Sequence, residues 1–453
     1  MQIFTKARYV TPAPPNVAGE AKEETVSSEE GISVKSTLFQ VVLPLLIIRL
    51  LLTLVGIVTA YYLLPLINRE QPIVPGSQAS HLPDMLIYMW NHFDSGFYIS
   101  IAHDGYWSAS TLHSQTTWGF FPLYPLVIRV LAWPFGSSLF TDNLVGLVVA
   151  NVAAFVAAFY LYRLTTREFN HMVAARVVYY LALYPMGFYL FAIYPESLFL
   201  ALVISSIYYA RLHRWWLAGI LGGLAALTRS SGALLVVAIG WEYWQCYAER
   251  FAPVAPATML PGSIQRWMHS RFIGFWRSLT HWSTWLGLMA LALIPSGLGL
   301  FLLYSKWQTG TFFAYVQAQQ YGWNYHFANP ILVVVHALHH PDTASPYNWD
   351  FYLLNIGSIL VFSCLLIPVF RRLPALYGIL MLSFMIMPLT TGRLGSVARY
   401  YLTLFPAFML LAWWSSQGSP EQQVRRHSLL TISFALLQGV AMVMFTLAVY
   451  AIA

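Results

Sequence analysis

The chain has 453 residues, of which 58% are hydrophobic and 16% aromatic, and it carries 24 Lys plus Arg against 17 Asp plus Glu. Charged residues make up 9% of the chain against roughly 25% in a soluble domain, too few to keep a surface of this size in water, so a soluble enzyme is excluded. Two cysteines in apolar runs, Cys246 and Cys364, exclude a secreted disulfide scaffold, and a net charge of +7 scattered between hydrophobic segments excludes nucleic-acid binding.

What remains is an all-α polytopic membrane protein, and its elements follow in chain order. Residues 1–36 carry nine charges, several prolines and little apolar patterning. Such a segment cannot bury enough surface to offset its ordering entropy, which predicts a flexible cytoplasmic tail. It lacks the basic-then-apolar layout of a signal peptide. Residues 37–453 read as one transmembrane domain. Spanning helices need about 20 mostly apolar residues, and the hydrophobic runs predict about eleven: 38–66, 139–162, 174–193, 196–211, 215–228, 231–248, 281–305, 351–370, 374–390, 400–416 and 428–450. The 215–228 segment is short enough to be tilted or broken. Three prolines and Arg129 within 120–135 predict an interfacial or re-entrant piece there.

If the tail is cytoplasmic and the spans alternate, seventeen of the 24 basic residues fall on the cytoplasmic side. Six fall on the far side (Arg69, Arg129, Arg229, Lys306, Arg393 and Arg399), and Arg49 is left inside the first span. That asymmetry obeys the positive-inside rule. Two far-side segments, 67–138 and 306–350, are longer than connection requires, and loops of that length are usually functional or disordered. Their richness in Trp, Tyr, Phe and His predicts extracytoplasmic amphipathic helices lying on the membrane surface.

The first of these loops holds Trp90-Asn-His-Phe-Asp94-Ser-Gly-Phe-Tyr-Ile-Ser-Ile-Ala-His-Asp104-Gly-Tyr106 and then Phe120-Phe-Pro-Leu-Tyr-Pro125. On a helix over 93–103, Phe93, Phe97 and Ile101 share a face suited to lipid, and Asp94 points elsewhere. Asp94 reads either as a helix N-cap or as a chemical group. Further along, Glu196 opens a span and Arg229 closes one. Gln319 lies in a Tyr/Gln-rich run, and Arg393 and Arg399 share Gly392-Arg-Leu-Gly-Ser-Val-Ala-Arg-Tyr-Tyr401. Each alone is explained by snorkelling at a span end. Together they gather acids and arginines at one interface, which suits a reaction in which a hydroxyl loses a proton and a phosphate leaves. His336, His339 and His340 have the i,i+3/i+4 spacing of a ligand pair, but the polar face of an interfacial helix explains them as well. No tight carboxylate pair demands a metal. Tyr and Trp in the far loops suit sugar stacking or an interfacial belt.

The blocks Phe93-Asp94-Ser-x-Phe-Tyr-x-x-Ile-Ala-x-x-Gly-Tyr106, Phe-Phe-Pro-Leu-Tyr-Pro125, Tyr-x-Glu-Ser-Leu-Phe199, Leu-Thr-Arg-x-x-Gly232 and Ala-Arg-Tyr-Tyr-Leu-x-x-Phe-Pro406 resemble, in order over about 85–410, the PIG-V family. That family comprises GPI mannosyltransferase II and its prokaryotic relatives. The resemblance implies a GT-C glycosyltransferase fold and a polyprenyl- or dolichyl-phosphate sugar donor. It also implies inverting transfer of mannose or a related sugar to a glycolipid or lipid-linked acceptor on the extracytoplasmic or lumenal face. Asp94 matches the family's first-loop acid, the general base, although many members have Trp-Asp where this chain has Phe93-Asp94. On this reading Arg229, Arg393 and Arg399 hold the leaving phosphate through their planar forks. Asp104, Tyr106, Glu196 and Gln319 are expected to touch substrate, membrane lipids are the remaining partners, and no metal or other cofactor is expected. The membrane is either a bacterial plasma membrane or the endoplasmic reticulum. The rivals are a GT-C enzyme acting on protein or moving another sugar, and a lipid or solute transporter, which would place its polar groups at mid-membrane on broken helices.

Overall fold

The computed structural model describes residues 34–63, 82–136, 138–252, 264–339 and 352–448. The described residues are almost entirely helical and contain no strand. The expected tail therefore lies outside them, except that Val34 to Ser36 already belong to the first helix.

All eleven segments expected to span contain a helix. They are α1 (Val34–Val58), α5 (Leu139–Glu168), α6 (His171–Leu183), α7 (Glu196–Arg211), α8 (Trp215–Thr228), α9 (Leu235–Arg250), α11 (Trp282–Thr309), α14 (Gly357–Arg372), α15 (Ala375–Leu389), α17 (Phe405–Ser415) and α18 (Pro420–Thr446). Five stretches are long and apolar enough to cross a bilayer by themselves: Phe39–Leu63, 139–168, 282–309, Leu353–Arg372 and 420–446. These make the chain an integral membrane protein, with shorter apolar helices completing the bundle. Three segments expected as continuous spans are broken. In 174–193 the helix stops at Leu183, two residues before Pro185, and the chain continues as the 3₁₀ turn Gly187–Leu190. Ser230–Leu234 is likewise 3₁₀ before α9 begins. The 400–416 segment splits into the short helix α16 (Val397–Tyr400), the 3₁₀ turn Tyr401–Thr403 and α17.

Irregular backbone at membrane depth survives only where protein satisfies its polar groups. Gln438 donates to the Ala182 carbonyl at 2.7 Å, Tyr184 donates to Ala398 O at 3.0 Å, and Asn355 Oδ1 accepts the Ala398 N–H at 3.1 Å. Regular helices pack through small residues. Along α8, Gly219, Gly222 and Gly223 admit α11, whose Gly297 lies against the Gly223 carbonyl; at these points a methyl group would collide with backbone or with Ile294. At one end of the bundle Glu168, Arg211 and Glu242 form a buried ion cluster, with Arg211 Nε 2.8 Å from Glu168 and the Tyr377 hydroxyl donating to Glu168 at 2.8 Å.

Only some of the remaining helices border the large cavity of the molecule. Of these, α3 (Ser95–His103) and α12 (Ala314–Trp323) reach its wall, whereas α2 (Leu82–Tyr88) packs on α1 and α5, α4 (Leu123–Ala132) on α3 and α5, α13 (Pro330–His339) on α15, and α10 (Ile264–Ser278) on α9. Within 120–135, the stretch expected as an interfacial piece, α4 is ten residues long, buries Tyr124 and Ile128 and exposes Leu126, Val130 and Leu131. The expected lipid face of α3 is corrected. Ile101 is buried in the core, and Phe97 stacks on Phe120 at 4.7 Å and meets Trp323 edge-on at 5.6 Å, so this helix lies beneath other protein.

Candidate active site

A cavity of about 580 Å³ is walled by residues from 93–98, 115–121, 228–231, 315–325 and 384–403, together with Asn355. All of these belong to segments expected at or near the far side, and none of the described residues of 249–280 lies in the wall.

Its polar centre begins at the entrance to α3. Phe93 has φ +55°, a left-handed conformation uncommon for a bulky residue, and the surroundings hold it there. Tyr194 supplies the hold: its hydroxyl donates to the His92 carbonyl at 2.7 Å and accepts the Asp94 N–H at 3.2 Å. Ser95 Oγ adds a bond to His92 O at 2.6 Å. Asp94 stands at the N-cap position of α3, but its backbone is already helical and its side chain makes no capping bond. The carboxylate instead accepts from Arg399 Nη2 at 2.9 Å. The capping reading thus fails on geometry.

Arg399 is reached through a loop that several devices hold. Thr390 and Thr391 accept backbone N–H bonds from Ala328 and His326, Gly392 turns at φ +79° where a side chain would strike the His326 ring, and Ser396 turns at φ +62° just before α16. The Arg399 side chain is only 6% exposed and lies among the rings of Tyr189, Tyr194 and Tyr400, 5.2–5.3 Å from each centroid. Its Nε is 3.3 Å from Glu196 Oε1, which also accepts from Arg229 Nη1 at 2.7 Å. Arg229 follows the last residue of α8 in extended conformation, which sends its guanidinium over Tyr400 at 4.7 Å. Asp94, Arg399, Glu196 and Arg229 therefore form one alternating chain of charges. Glu196 is 1% exposed and Asp94 25%, so Glu196 is the internal tie and Asp94 the carboxylate that a ligand can reach.

Other titratable groups nearby are poor proton acceptors. Burial pushes the His92 imidazole down to about 4, leaving it neutral at pH 7. Burial first, and Glu196 second, raise the Tyr98 hydroxyl well above its ordinary value of 10.

The sequence-derived residues divide three ways. Asp94, Arg229, Arg393, Arg399 and Gln319 share the cavity wall, with Gln319 Nε2 donating to Gly119 O at 2.9 Å and Arg393 reaching Trp323 O at 3.5 Å. Glu196 lies directly behind it. Asp104 and Tyr106, expected to touch substrate, do not reach it. Asp104 is exposed at the C-terminal end of α3, and Tyr106 turns its hydroxyl to Phe120 O at 2.8 Å and stacks on Trp118. The sequence reading missed Tyr194, Tyr400 and Asn355. The two tyrosines stand beside residues it singled out, and Asn355 is a lone amide at the head of an apolar run. His336 and His339 are exposed on α13, and His340 lies outside the described residues. Among the described residues no three His, Cys, Asp or Glu side chains come together.

No family model matches the chain, and no curated protein matches it. Among solved structures it is similar to ArnT from Cupriavidus metallidurans bound to undecaprenyl phosphate, with 12% identity and a TM-score of 0.45 over 81% of this chain and 74% of that one. It is also similar to the apo oligosaccharyltransferase of Archaeoglobus fulgidus, with 12% identity and a TM-score of 0.45 over 88% of this chain and 56% of that one. A third is AglB from the same organism in complex with an inhibitory peptide and a dolichol-phosphate, with 12% identity and a TM-score of 0.41 over 90% and 56%. The chain spans little more than half the length of the oligosaccharyltransferases. At these scores the likeness carries no argument about activity.

Proposed function

We propose that the chain is a GT-C glycosyltransferase. On this reading it moves mannose or a related sugar from a polyprenyl- or dolichyl-phosphate donor to a glycolipid or lipid-linked acceptor, at the extracytoplasmic or lumenal face and with inversion. The observation that carries this reading is the juxtaposition, in one cavity, of an accessible carboxylate with guanidinium groups already fixed by buried partners. Asp94 takes the proton of the acceptor hydroxyl as that oxygen attacks the anomeric carbon. The bond from that carbon to the phosphate oxygen breaks on the opposite face, and the lipid phosphate leaves with the electron pair. Arg229, tethered to Glu196 and stacked on Tyr400, and Arg393 take the charge of the phosphate through planar, charge-assisted hydrogen bonds. Arg399 holds Asp94 at its attacking position. These side chains can carry the charge of a phosphate leaving group without a metal. The PIG-V-like order of the motifs points the same way.

The test is incubation of the purified protein with labelled polyprenyl-phospho-mannose and a membrane lipid extract. A labelled lipid that Asp94→Asn no longer forms is expected. A label that stays on the donor with every lipid fraction, or that moves equally well with Asp94→Asn, overturns the reading.

A further inference from the structure

Arg49 is the one basic residue that the sequence leaves deep inside an expected span, away from its ends, and the cavity does not use it. A cation there is costly and usually serves a function, and this one does not snorkel. Its Nε donates to Asn151 Oδ1 at 2.9 Å, its Nη1 donates to Thr53 Oγ1 at 2.8 Å, and its guanidinium carbon lies 3.9 Å from the centroid of the Trp90 ring. Asn151 passes the contact on by donating to Phe191 O at 3.2 Å. All these partners are neutral, so the site is built around a planar cation lying on an indole face.

Trp90 is fully buried and stands four residues before Asp94. Its carbonyl accepts the Ile193 N–H at 3.1 Å, next to Tyr194. The left-handed turn at Phe93 is thus held by Tyr194 and Ser95 at its Asp94 end, by Asn91, whose side chain accepts from Ser95 Oγ at 2.6 Å and donates to Asn143, and by Trp90, clamped under Arg49, at its start. Strained backbone persists only when its surroundings over-determine it. Removing the hold at its start lets the turn relax and swing the carboxylate.

We propose that Arg49 is a positioning residue for the proton-accepting carboxylate: stacked on Trp90, it fixes the 90–94 turn that aims Asp94 at Arg399. This rests on the reading of Asp94 given above. A purely structural cation would affect folding and every step alike, whereas a positioning one acts through Asp94.

Arg49→Lys keeps the charge but loses the planar face and the fork to Asn151 and Thr53. It is expected to lower kcat by on the order of 10²-fold, the cost of a misplaced reacting group, with KM for polyprenyl-phospho-mannose unchanged. In an Asp94→Asn background the same change is expected to cost nothing further, because no base is left to aim. Losses that multiply, or a raised KM at unchanged kcat, overturn the proposal. Should Arg49→Lys fail to fold, Trp90→Phe, which narrows the face beneath the guanidinium, is read in the same way.

A second arm does not depend on transfer. With Cys246 and Cys364 replaced by Ala, Asp94→Cys is modified by a membrane-impermeant methanethiosulfonate with and without Arg49→Lys. A changed modification rate supports the clamp even if the wild-type protein transfers no mannose, in which case the functional reading alone fails. An unchanged rate overturns the clamp whatever the activity.

Discussion

A carboxylate at the start of a helix can serve the backbone or a ligand, and at Asp94 the two uses predict opposite results for one substitution. Asn caps a helix as well as Asp does, so a capping role makes Asp94→Asn silent. The side chain makes no cap bond and pairs with Arg399 instead. Transfer by Asp94→Asn is therefore expected to fall by roughly 10²–10⁴-fold, the usual worth of a general base. The thermal unfolding midpoint in detergent should barely move, because the amide oxygen still accepts from Arg399. Glu196 predicts the reverse balance. It lies between two arginines at 1% exposure, so Glu196→Gln leaves buried positive charge under-compensated. The expected loss is about 3–5 kcal/mol, typical of breaking a buried pair, read as a lower unfolding midpoint. An unchanged midpoint would return Glu196 to an incidental span-end residue. Arg229→Lys should weaken donor use more than folding, because an ammonium cannot reproduce the flat contact with Tyr400 or the fork. Wild-type KM for the donor in that variant would make Arg229 an anchor only.

At the scale of the element, the chain shows which features a one-dimensional pattern carries. Hydrophobic length predicts a helix in each of the eleven runs, and among the described residues each run holds one, since a run in lipid has to satisfy its own backbone. It could not locate the breaks at 184–195, 230–234 and 401–404, because a broken segment is as apolar as a whole one. What permits the breaks is donors and acceptors brought from far along the chain: Gln438 to Ala182, Tyr184 to Ala398, Asn355 to Ala398. The same limit explains the site. Asp94, Arg229 and Arg399 were legible because charges are rare in this chain, whereas Tyr194 and Asn355 were hidden among many ordinary tyrosines and amides. Asp104 misled for the opposite reason, standing out as a charge while capping the exposed end of α3. The packing of α8 on α11 gives this scale its own prediction. A methyl at Gly297 would meet the Gly223 carbonyl, whereas one at Gly299, on the same helix, meets nothing within 4 Å. Gly297→Ala should cost about 1–3 kcal/mol from overpacking and Gly299→Ala essentially none, compared by thermal unfolding in one detergent. Equal midpoints would show that the two helices slide apart without cost.

For the whole molecule the decisive property is sidedness, which two independent features address. The first is charge: seventeen of the 24 basic residues fall on one side when the spans alternate, as the positive-inside rule requires of a cytoplasmic face. The second is geometry. Segments 93–98, 115–121, 315–325 and 384–403 converge on a single cavity, although hundreds of residues separate the first from the last. The ion cluster of Glu168, Arg211 and Glu242 joins the C-terminal ends of α5 and α7 to the middle of α9. On the proposed reading, a donor whose lipid lies in the bilayer presents its phosphosugar at the cavity mouth, which makes the face bearing the cavity the face of the reaction. In a protein whose two cysteines are replaced by Ala, Ser110→Cys on the cavity side and Thr280→Cys after α10 are both exposed positions. In intact cells an impermeant maleimide should label Ser110→Cys directly and reach Thr280→Cys only after permeabilisation. Labelling of both from outside would sink the alternating topology. Labelling of Thr280→Cys alone would invert it, putting the cavity in the cytoplasm and forcing the sugar donor to be sought there.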